Sequence, residues 1–140
     1  SITICRLLFD FGLVVLIWMI QQIVYPSFLE YSPKNLVVWH KKYVNRLTPI
    51  VFPLMLGQLG ITIYQVFTEV SIYSITSLLL ILLLWIVTFW IFVPIHTTIS
   101  KGTANKELLQ VLVTRNWMRT IAWTFLFAYS FIISFQLGVA

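Results

Sequence analysis

The stretch SLLLILLLWIVTFWIFV, residues 77–93, decides the fold class of this chain. It contains no charged side chain, and it lies within a longer apolar run over roughly residues 71–94. A helix needs about 20 apolar residues to cross the hydrocarbon core of a bilayer. Only 9% of the chain is charged and 60% is hydrophobic, whereas a soluble domain carries roughly a quarter charged residues. We therefore expect an all-α integral membrane protein.

Three other segments have a similar length and apolar composition, at roughly residues 6–28, 48–67 and 116–138. The first is too long for a signal peptide and lacks a small-residue cleavage site, so we expect it to remain as a span. In the second, Thr48 is a suitable N-cap before Pro49 at the first helical position. The short link to the third span makes these helices antiparallel neighbours. Residues 1–140 are thus predicted to form one antiparallel four-helix bundle.

Two short amphipathic helices are expected in the longer loops. Residues 33–46 follow a cap-and-proline signal, and their less polar face carries Leu36, His40 and Tyr43, while lysines occupy the other face. Residues 104–113 form the second amphipathic piece. Both helices are predicted to lie at the membrane interface, with their basic sides in water.

The basic residues predict the orientation of the spans. Arg6 alone lies at one face of the predicted bundle. The other eight lie in or beside the two amphipathic loops: Lys34, Lys41, Lys42, Arg46, Lys101, Lys106, Arg115 and Arg119. Cytoplasmic loops are enriched in lysine and arginine, so both termini should lie outside. The net charge of +5 then indicates contact with the lipid bilayer and its anionic headgroups, not with nucleic acid.

Polar groups within the spans are functional candidates, because membrane helices rarely carry them without a reason. Arg6 and Asp10 are one helical turn apart, and we interpret them as an ion pair that anchors the outer end of the first span. Gln21, Gln22 and Tyr25 lie at its inner end. Gln58 is near mid-membrane between two glycines, where either a hydrogen bond across helices or close helix packing explains it.

The chain has two histidines, His40 and His96, both expected on the cytoplasmic side. They are either independent interfacial residues or a pair that meets within the bundle. Any metal would have to bind this pair, although a catalytic zinc site normally has three protein ligands. Haem between them would require opposed rings across a gap. The cofactor therefore stays open, and the single cysteine, Cys5, excludes an intramolecular disulfide.

The fourth span opens with a second polar group. Asn116, Thr120 and Trp123 share one helical face, and Arg115 and Arg119 share an adjacent one. Because Arg119 lies one turn deeper than Arg115, it either extends outward to the interface or pairs inward. No topology signal requires Asn116, which is uncharged.

Four motifs along the chain carry a resemblance. They are WxxQxxVYPSF (residues 18–28), WHKKYVNRLTPIVFPLML (39–56), VPIH (93–96) and TRNWMRTIAWT (114–124). Together they resemble a group of uncharacterised bacterial four-span membrane proteins with a C-terminal NWxRT signature, distantly similar to anthrone-oxygenase-like membrane proteins. The resemblance covers nearly the whole chain and implies a bacterial inner-membrane protein. It implies a polar set at His40, His96, Asn116, Trp117 and Arg119, and the group often has a glutamate at the position of Gln58.

Two functional hypotheses follow. The first is a membrane enzyme or ligand-binding protein with a pocket at the cytoplasmic helix ends. His40 or His96 would act as acid or base there, because imidazole titrates near neutral pH. A quinone, an aromatic molecule or a lipid would suit an apolar bundle with a polar mouth. The residues expected to bind such a substrate are Gln22, Tyr25, Tyr43, Gln58, Asn116 and Arg119.

The second hypothesis is a non-catalytic accessory subunit, packed against a membrane-protein partner or against further copies of itself. In that case, the histidines and Arg119 would hold the inner helix ends together. A transporter or channel is less favoured, because spans two to four contain no paired charges. No phosphate loop, nucleophile triad or covalent haem motif is present in the sequence.

Overall fold

The computed structural model describes residues 1–138, and within them the fold consists of helices and turns with no strand. Four helical segments are each long and apolar enough to cross a membrane. They are α1 (Ile2–Glu30), α2 (Pro33–Thr68), α3 (Ile72–Ser100) and α4 (Lys106–Gln136). The prediction of an all-α chain with four candidate spans is confirmed.

The predicted boundary between the first loop helix and the second span is wrong. Helix α2 runs through both without interruption, with Pro49 and Pro53 inside it. Thr48 does not cap a new helix, because its hydroxyl donates back to the Val44 carbonyl at 2.7 Å. The true N-cap is Ser32, whose side chain accepts a hydrogen bond from the backbone of the first turn. The residues near position 40 are therefore the first turns of a long helix.

The same correction applies to the fourth span, which was predicted as two helices. Helix α4 begins after Asn105, whose side chain accepts from the Leu108 amide at 2.9 Å. It continues without a break to Gln136. Leu109, Leu112 and Asn116 are all buried, so one buried stripe continues from the amphipathic turns into the apolar ones. This continuity explains why the two predicted pieces form one helix.

Helices α1 and α3 share an irregularity. Each contains a five-residue π-helical segment, Ile20–Val24 in α1 and Thr88–Phe92 in α3. A proline follows two positions after each segment, at Pro26 and Pro94. Proline lacks an N–H and clashes with the carbonyl four residues earlier, so a wider turn before it lets the helix continue. The wider turns also change which side chains of α1 and α3 point inward.

Helix α1 packs mainly against α2 and α4, and α2 also packs against α3. The core includes Leu13, Ile81 and Leu126, all at most 2% exposed. Many large apolar side chains nevertheless lie on the outer surface; Phe67 and Trp90, for example, are 81% and 80% exposed. An outer surface of this kind is unusual for a soluble monomer, and it fits a chain surrounded by lipid.

Of the two glycines beside Gln58, one serves close packing. A Cβ atom at Gly57 would overlap the Phe9 ring of α1, whereas one at Gly60 would meet nothing within 4 Å. Gln58 is itself buried and hydrogen-bonded. Close packing and hydrogen bonding thus occur together in this part of α2.

Candidate functional site

A chain of hydrogen-bonded side chains joins all four helices where α1 ends and α2 begins. We call it the histidine chain, and its members are Ser100, His40, His96, Tyr25 and Arg119. The Nδ1 atom of His40 lies 2.9 Å from Ser100 Oγ, and its Nε2 atom lies 2.7 Å from His96 Nδ1. The Nε2 atom of His96 lies 2.9 Å from the Tyr25 hydroxyl, to which Arg119 Nη2 donates at 2.9 Å. The two histidines therefore meet within the bundle.

We assign the direction of these hydrogen bonds from the arginine, because either ring nitrogen of a histidine can donate or accept. A guanidinium can only donate, so the Tyr25 oxygen accepts from Arg119 and its single proton is free to point to His96 Nε2. With both imidazoles neutral, His96 then donates from Nδ1 to His40, and His40 donates from Nδ1 to Ser100. In this assignment each ring nitrogen has one role, and such a chain is suited to pass a proton from residue to residue.

Arg119 pairs inward and does not extend to the surface. Its Nε donates to Asn116 Oδ1 at 2.9 Å, and its Nη1 lies 3.4 Å from the Thr88 hydroxyl. The guanidinium carbon lies 3.7 Å from the centre of the Phe92 ring. Behind it, Asn116 donates to Gln21 Oε1 at 2.9 Å. The guanidinium is therefore held in place by neutral groups from α1, α3 and α4.

The charge of Arg119 has no partner among residues 1–138. The one ion pair found in this part of the chain joins Arg6 and Asp10. Arg119 is only 7% exposed, so water does little to solvate it. A buried cation normally needs a counter-charge, because removal from water is costly. Arg119 thus differs from an ordinary structural arginine.

A cavity of about 460 Å³ borders the histidine chain. Most of its lining is apolar and comes from all four helices. Phe52 of α2 and Phe89 and Val93 of α3 belong to this lining and are also exposed on the outer surface. Thr48, Thr97 and Lys101 of the lining are exposed as well, so the exposed border of the cavity follows α2 and α3 from the π segment of α3 to the end of that helix. Its volume falls in the range of small-molecule sites.

The structure divides the predicted site residues into three groups. His96, Tyr25, Tyr43 and Arg119 line the cavity. His40 and Asn116 lie behind the lining and contact it through His96 and Arg119. Gln22 and Gln58 are not part of this set. Gln22 is on the exposed face of α1, and Gln58 belongs to a different cluster.

Gln21, not Gln22, is the glutamine of this site; the sequence placed both at the inner end of the first span, and Gln22 was the one predicted to bind. Its side chain accepts from Asn116 and Thr120, each at 2.9 Å, and donates to the Val113 carbonyl at 3.1 Å. A signal was present, because position 21 continues the four-residue spacing of the buried Leu13 and Ile17. Within the π segment Gln21 is buried, whereas the next residue, Gln22, is exposed.

The two histidines are not spaced as a metal pair. Their facing nitrogens are 2.7 Å apart, whereas a tetrahedral zinc with bonds of about 2.0–2.1 Å would hold two nitrogens about 3.3 Å apart. Within residues 1–138, no three His, Cys, Asp or Glu side chains come together as a ligand set. A metal at this pair would require the rings to separate and a further donor to approach.

A second buried cluster occupies the region where α1 begins. The predicted pair of Arg6 and Asp10 is present, with Nε 3.0 Å from Oδ2, and both residues are 0% exposed. Gln58 donates to Asp10 Oδ1 at 2.7 Å, and Arg6 Nη1 donates to Gln65 Oε1 at 3.1 Å. Ser130 also donates to Asp10. We call this group the Arg6 cluster: Arg6, Asp10, Gln58, Gln65, Tyr73 and Ser130.

Trp123 connects the two regions. Its ring lines the cavity, and its Nε1 donates to Gln58 Oε1 at 3.2 Å. The other side of the Gln58 amide contacts Asp10. A ligand packed against Trp123 would thus contact a residue that is hydrogen-bonded to the Arg6 cluster.

Comparisons with protein-family models, with curated proteins and with solved structures find no match for this chain. The function of the site is therefore inferred from its own geometry. That geometry consists of an apolar cavity bordered by the histidine chain, with the buried cation of Arg119 at one end of the chain.

Proposed function

We propose that this chain is an integral membrane protein that binds or converts an apolar or amphipathic small molecule. Its four helices would form an antiparallel bundle in a bacterial inner membrane, with both termini outside and the basic loops in the cytoplasm. The apolar outer surface and the basic residues beside both loops support this arrangement. The resemblance to four-span proteins with an NWxRT signature agrees with it.

The observation that carries this proposal is the contact between the histidine chain and the cavity. Tyr25, His96 and Arg119 are joined by hydrogen bonds and line the same apolar space. Ligand sites in proteins are mostly apolar with a few polar groups that orient the ligand. A quinone, an aromatic molecule or a lipid-like molecule fits this description. If the ligand undergoes a reaction, His96 and His40 would transfer a proton to it or from it.

The experiment is purification in a mild detergent followed by native mass spectrometry. We expect the wild type to carry or accept a small molecule and His96→Ala to lose it, because His96 lines the cavity. His40→Ala should weaken binding less, since His40 acts through His96. Gln22→Ala is the matched control, because Gln22 is exposed outside the bundle.

A titration with a short-chain quinone gives a second measurement. Trp85 and Trp123 line the cavity, so a bound quinone should quench their fluorescence. Quenching and mass changes that are equal in wild type and His96→Ala would contradict the proposal. That result would leave the accessory-subunit hypothesis, which co-purification of a membrane-protein partner would support.

A further inference from the structure

We propose that the ligand of this cavity carries an anionic headgroup, which pairs with Arg119. This inference deepens the proposed function and depends on it. It starts from the unpaired charge of Arg119 and adds two observations: the free donors of its guanidinium and the charges of the cavity lining.

Some N–H groups of Arg119 form no hydrogen bond within residues 1–138. Each terminal nitrogen of a guanidinium carries two N–H groups. In Arg119, Nη1 contacts Thr88 and Nη2 donates to Tyr25, one hydrogen bond each. Two N–H groups therefore remain for a ligand. The hydrogen bonds to Asn116, Thr88 and Tyr25 and the contact with the Phe92 ring fix the position of the guanidinium, so its free donors are positioned before a ligand arrives.

The charges of the lining favour an anion. Among the described residues that border the cavity, the charged side chains are Arg119 and Lys101, and none is Asp or Glu. A purely apolar ligand would exclude water and leave Arg119 buried and unpaired, which is unfavourable. An anionic oxygen at the same place would supply the missing counter-charge.

The chemistry of the headgroup follows from the guanidinium. Its planar fork matches the two oxygens of a carboxylate or phosphate through parallel hydrogen bonds. The remaining lining is mainly aliphatic and aromatic, so the rest of the ligand is apolar. The shared chemistry is an anionic oxygen group on an apolar chain or ring, whether it comes from a free acid or from a phosphate-headed lipid.

The test compares two probes that differ only in the headgroup, 12-bromododecanoate and 12-bromododecanol. Bromine quenches tryptophan on contact, and Trp85 and Trp123 border the cavity. Trp90 is 80% exposed, so the measurement uses a Trp90→Phe background to reduce quenching from outside the site. Dodecyl phosphate, added as an unbrominated competitor, distinguishes phosphate-headed ligands from carboxylates.

We expect the carboxylate probe to bind about tenfold more tightly than the alcohol, or more, as is typical of hydrogen bonds to charged groups. Arg119→Gln should remove this preference, and Arg119→Lys should retain part of it by keeping the charge. Arg115→Gln is the matched control, because Arg115 is an exposed arginine of the same helix. If Arg119→Gln does not fold, Arg119→Lys still tests the proposal, because it keeps the positive charge and removes the two parallel donors of the guanidinium.

The two proposals fail in different ways. The double variant Val51→Phe/Met55→Phe fills the cavity lining. If both probes bind equally and this variant reduces their quenching, the proposed anionic headgroup is overturned, and the proposed function stands. Quenching that is the same in wild type and in this cavity-filling variant would overturn both. Displacement by dodecyl phosphate stronger than by dodecanoate would assign a phosphate headgroup, and the reverse result would assign a carboxylate.

Discussion

Arg6 and Arg119 are both buried arginines, but they lie in opposite kinds of environment. Arg6 is 0% exposed and forms an ion pair with Asp10, one turn away on the same helix. Arg119 is 7% exposed and is held by Asn116, Thr88 and Tyr25, all of them neutral. Both guanidinium groups also lie over an aromatic ring, Tyr73 for Arg6 and Phe92 for Arg119.

Under the proposed function, this difference would separate a structural role for Arg6 from a binding role for Arg119. The Arg6 cluster contains its own counter-charge, and Arg6 and Asp10 do not line the cavity. Arg119 lacks a counter-charge within residues 1–138 and borders the cavity. If the proposal is right, Arg6 is neutralised within the fold and Arg119 is neutralised by the ligand. Four predictions test this comparison, from the largest expected effect to the smallest.

Asp10→Asn should have the largest effect, because it leaves the Arg6 charge buried without a partner. We expect the free energy of unfolding to fall by about 3–5 kcal/mol, measured by denaturant titration in detergent micelles. Glu107→Gln is the control, since Glu107 is an exposed acid. The double variant Arg6→Met/Asp10→Leu should recover most of the loss, because it removes both charges. A loss below about 1 kcal/mol for Asp10→Asn would show that the pair is not essential to stability.

Gln21→Leu and Gln22→Leu test the uncharged hydrogen-bond network next to Arg119, in which Gln21 takes part and Gln22 does not. Gln21→Leu should lower the free energy of unfolding by about 1–3 kcal/mol, because Asn116, Thr120 and the Val113 carbonyl lose their partner. Gln22→Leu should stay within about 0.5 kcal/mol, as expected for a surface position. The same titration measures both variants. Equal effects would contradict the conclusion that Gln21, and not Gln22, supports the region around Arg119.

Arg119→Met tests the missing counter-charge directly. We expect it to cost under about 2 kcal/mol of stability, because an apolar side chain of similar length removes a buried charge and leaves no opposite charge unpaired. Adding dodecanoate should raise the melting temperature of the wild type but not of this variant. A cost as large as that of Asp10→Asn would indicate that Arg119 has a structural role like that of Arg6.

Tyr25→Phe should have the smallest effect on stability, about 1 kcal/mol. It removes the hydroxyl that joins Arg119 to His96. The ring nitrogen signals of His96 and His40 in NMR spectra should nevertheless shift, because the direction of the histidine chain depends on this hydroxyl. Tyr31→Phe is the matched control, since Tyr31 is 39% exposed and stacks on Trp39. Unchanged histidine signals in Tyr25→Phe would contradict the assigned direction.

Residue spacing in the sequence predicted one feature of the Arg6 cluster and one feature of the region around the histidine chain. The four-residue interval between Arg6 and Asp10 predicted their ion pair, and helical periodicity placed His40 and Tyr43 on the buried face of α2. The contacts of these groups with other helices depend on how the helices pack. Ser130, for example, is far from Asp10 in the chain yet donates to it. Neither the burial of the Arg6 pair nor the position of Gln58 beside it could be read from spacing alone.

The predicted helix boundaries failed for a related reason. Pro49 was interpreted as a helix start, since proline is favoured at the first helical position. Inside an apolar bundle, however, neighbouring helices keep a proline-containing segment helical, and α2 continues past Pro49. The boundary before Asn116 failed because polar residues were read as a loop, although one buried stripe runs through them.

The apolar part of the exposed cavity border bears on whether the aqueous or the membrane concentration of a ligand sets its occupancy. Phe52, Phe89 and Val93 form this part of the border on the apolar outer surface, which the proposed function places against lipid. A ligand that partitions into the bilayer would then reach the site from the acyl chains without crossing water. Occupancy would follow the mole fraction of the ligand in the membrane, by mass action. A site of modest intrinsic affinity could remain filled while the aqueous concentration of its ligand is very low.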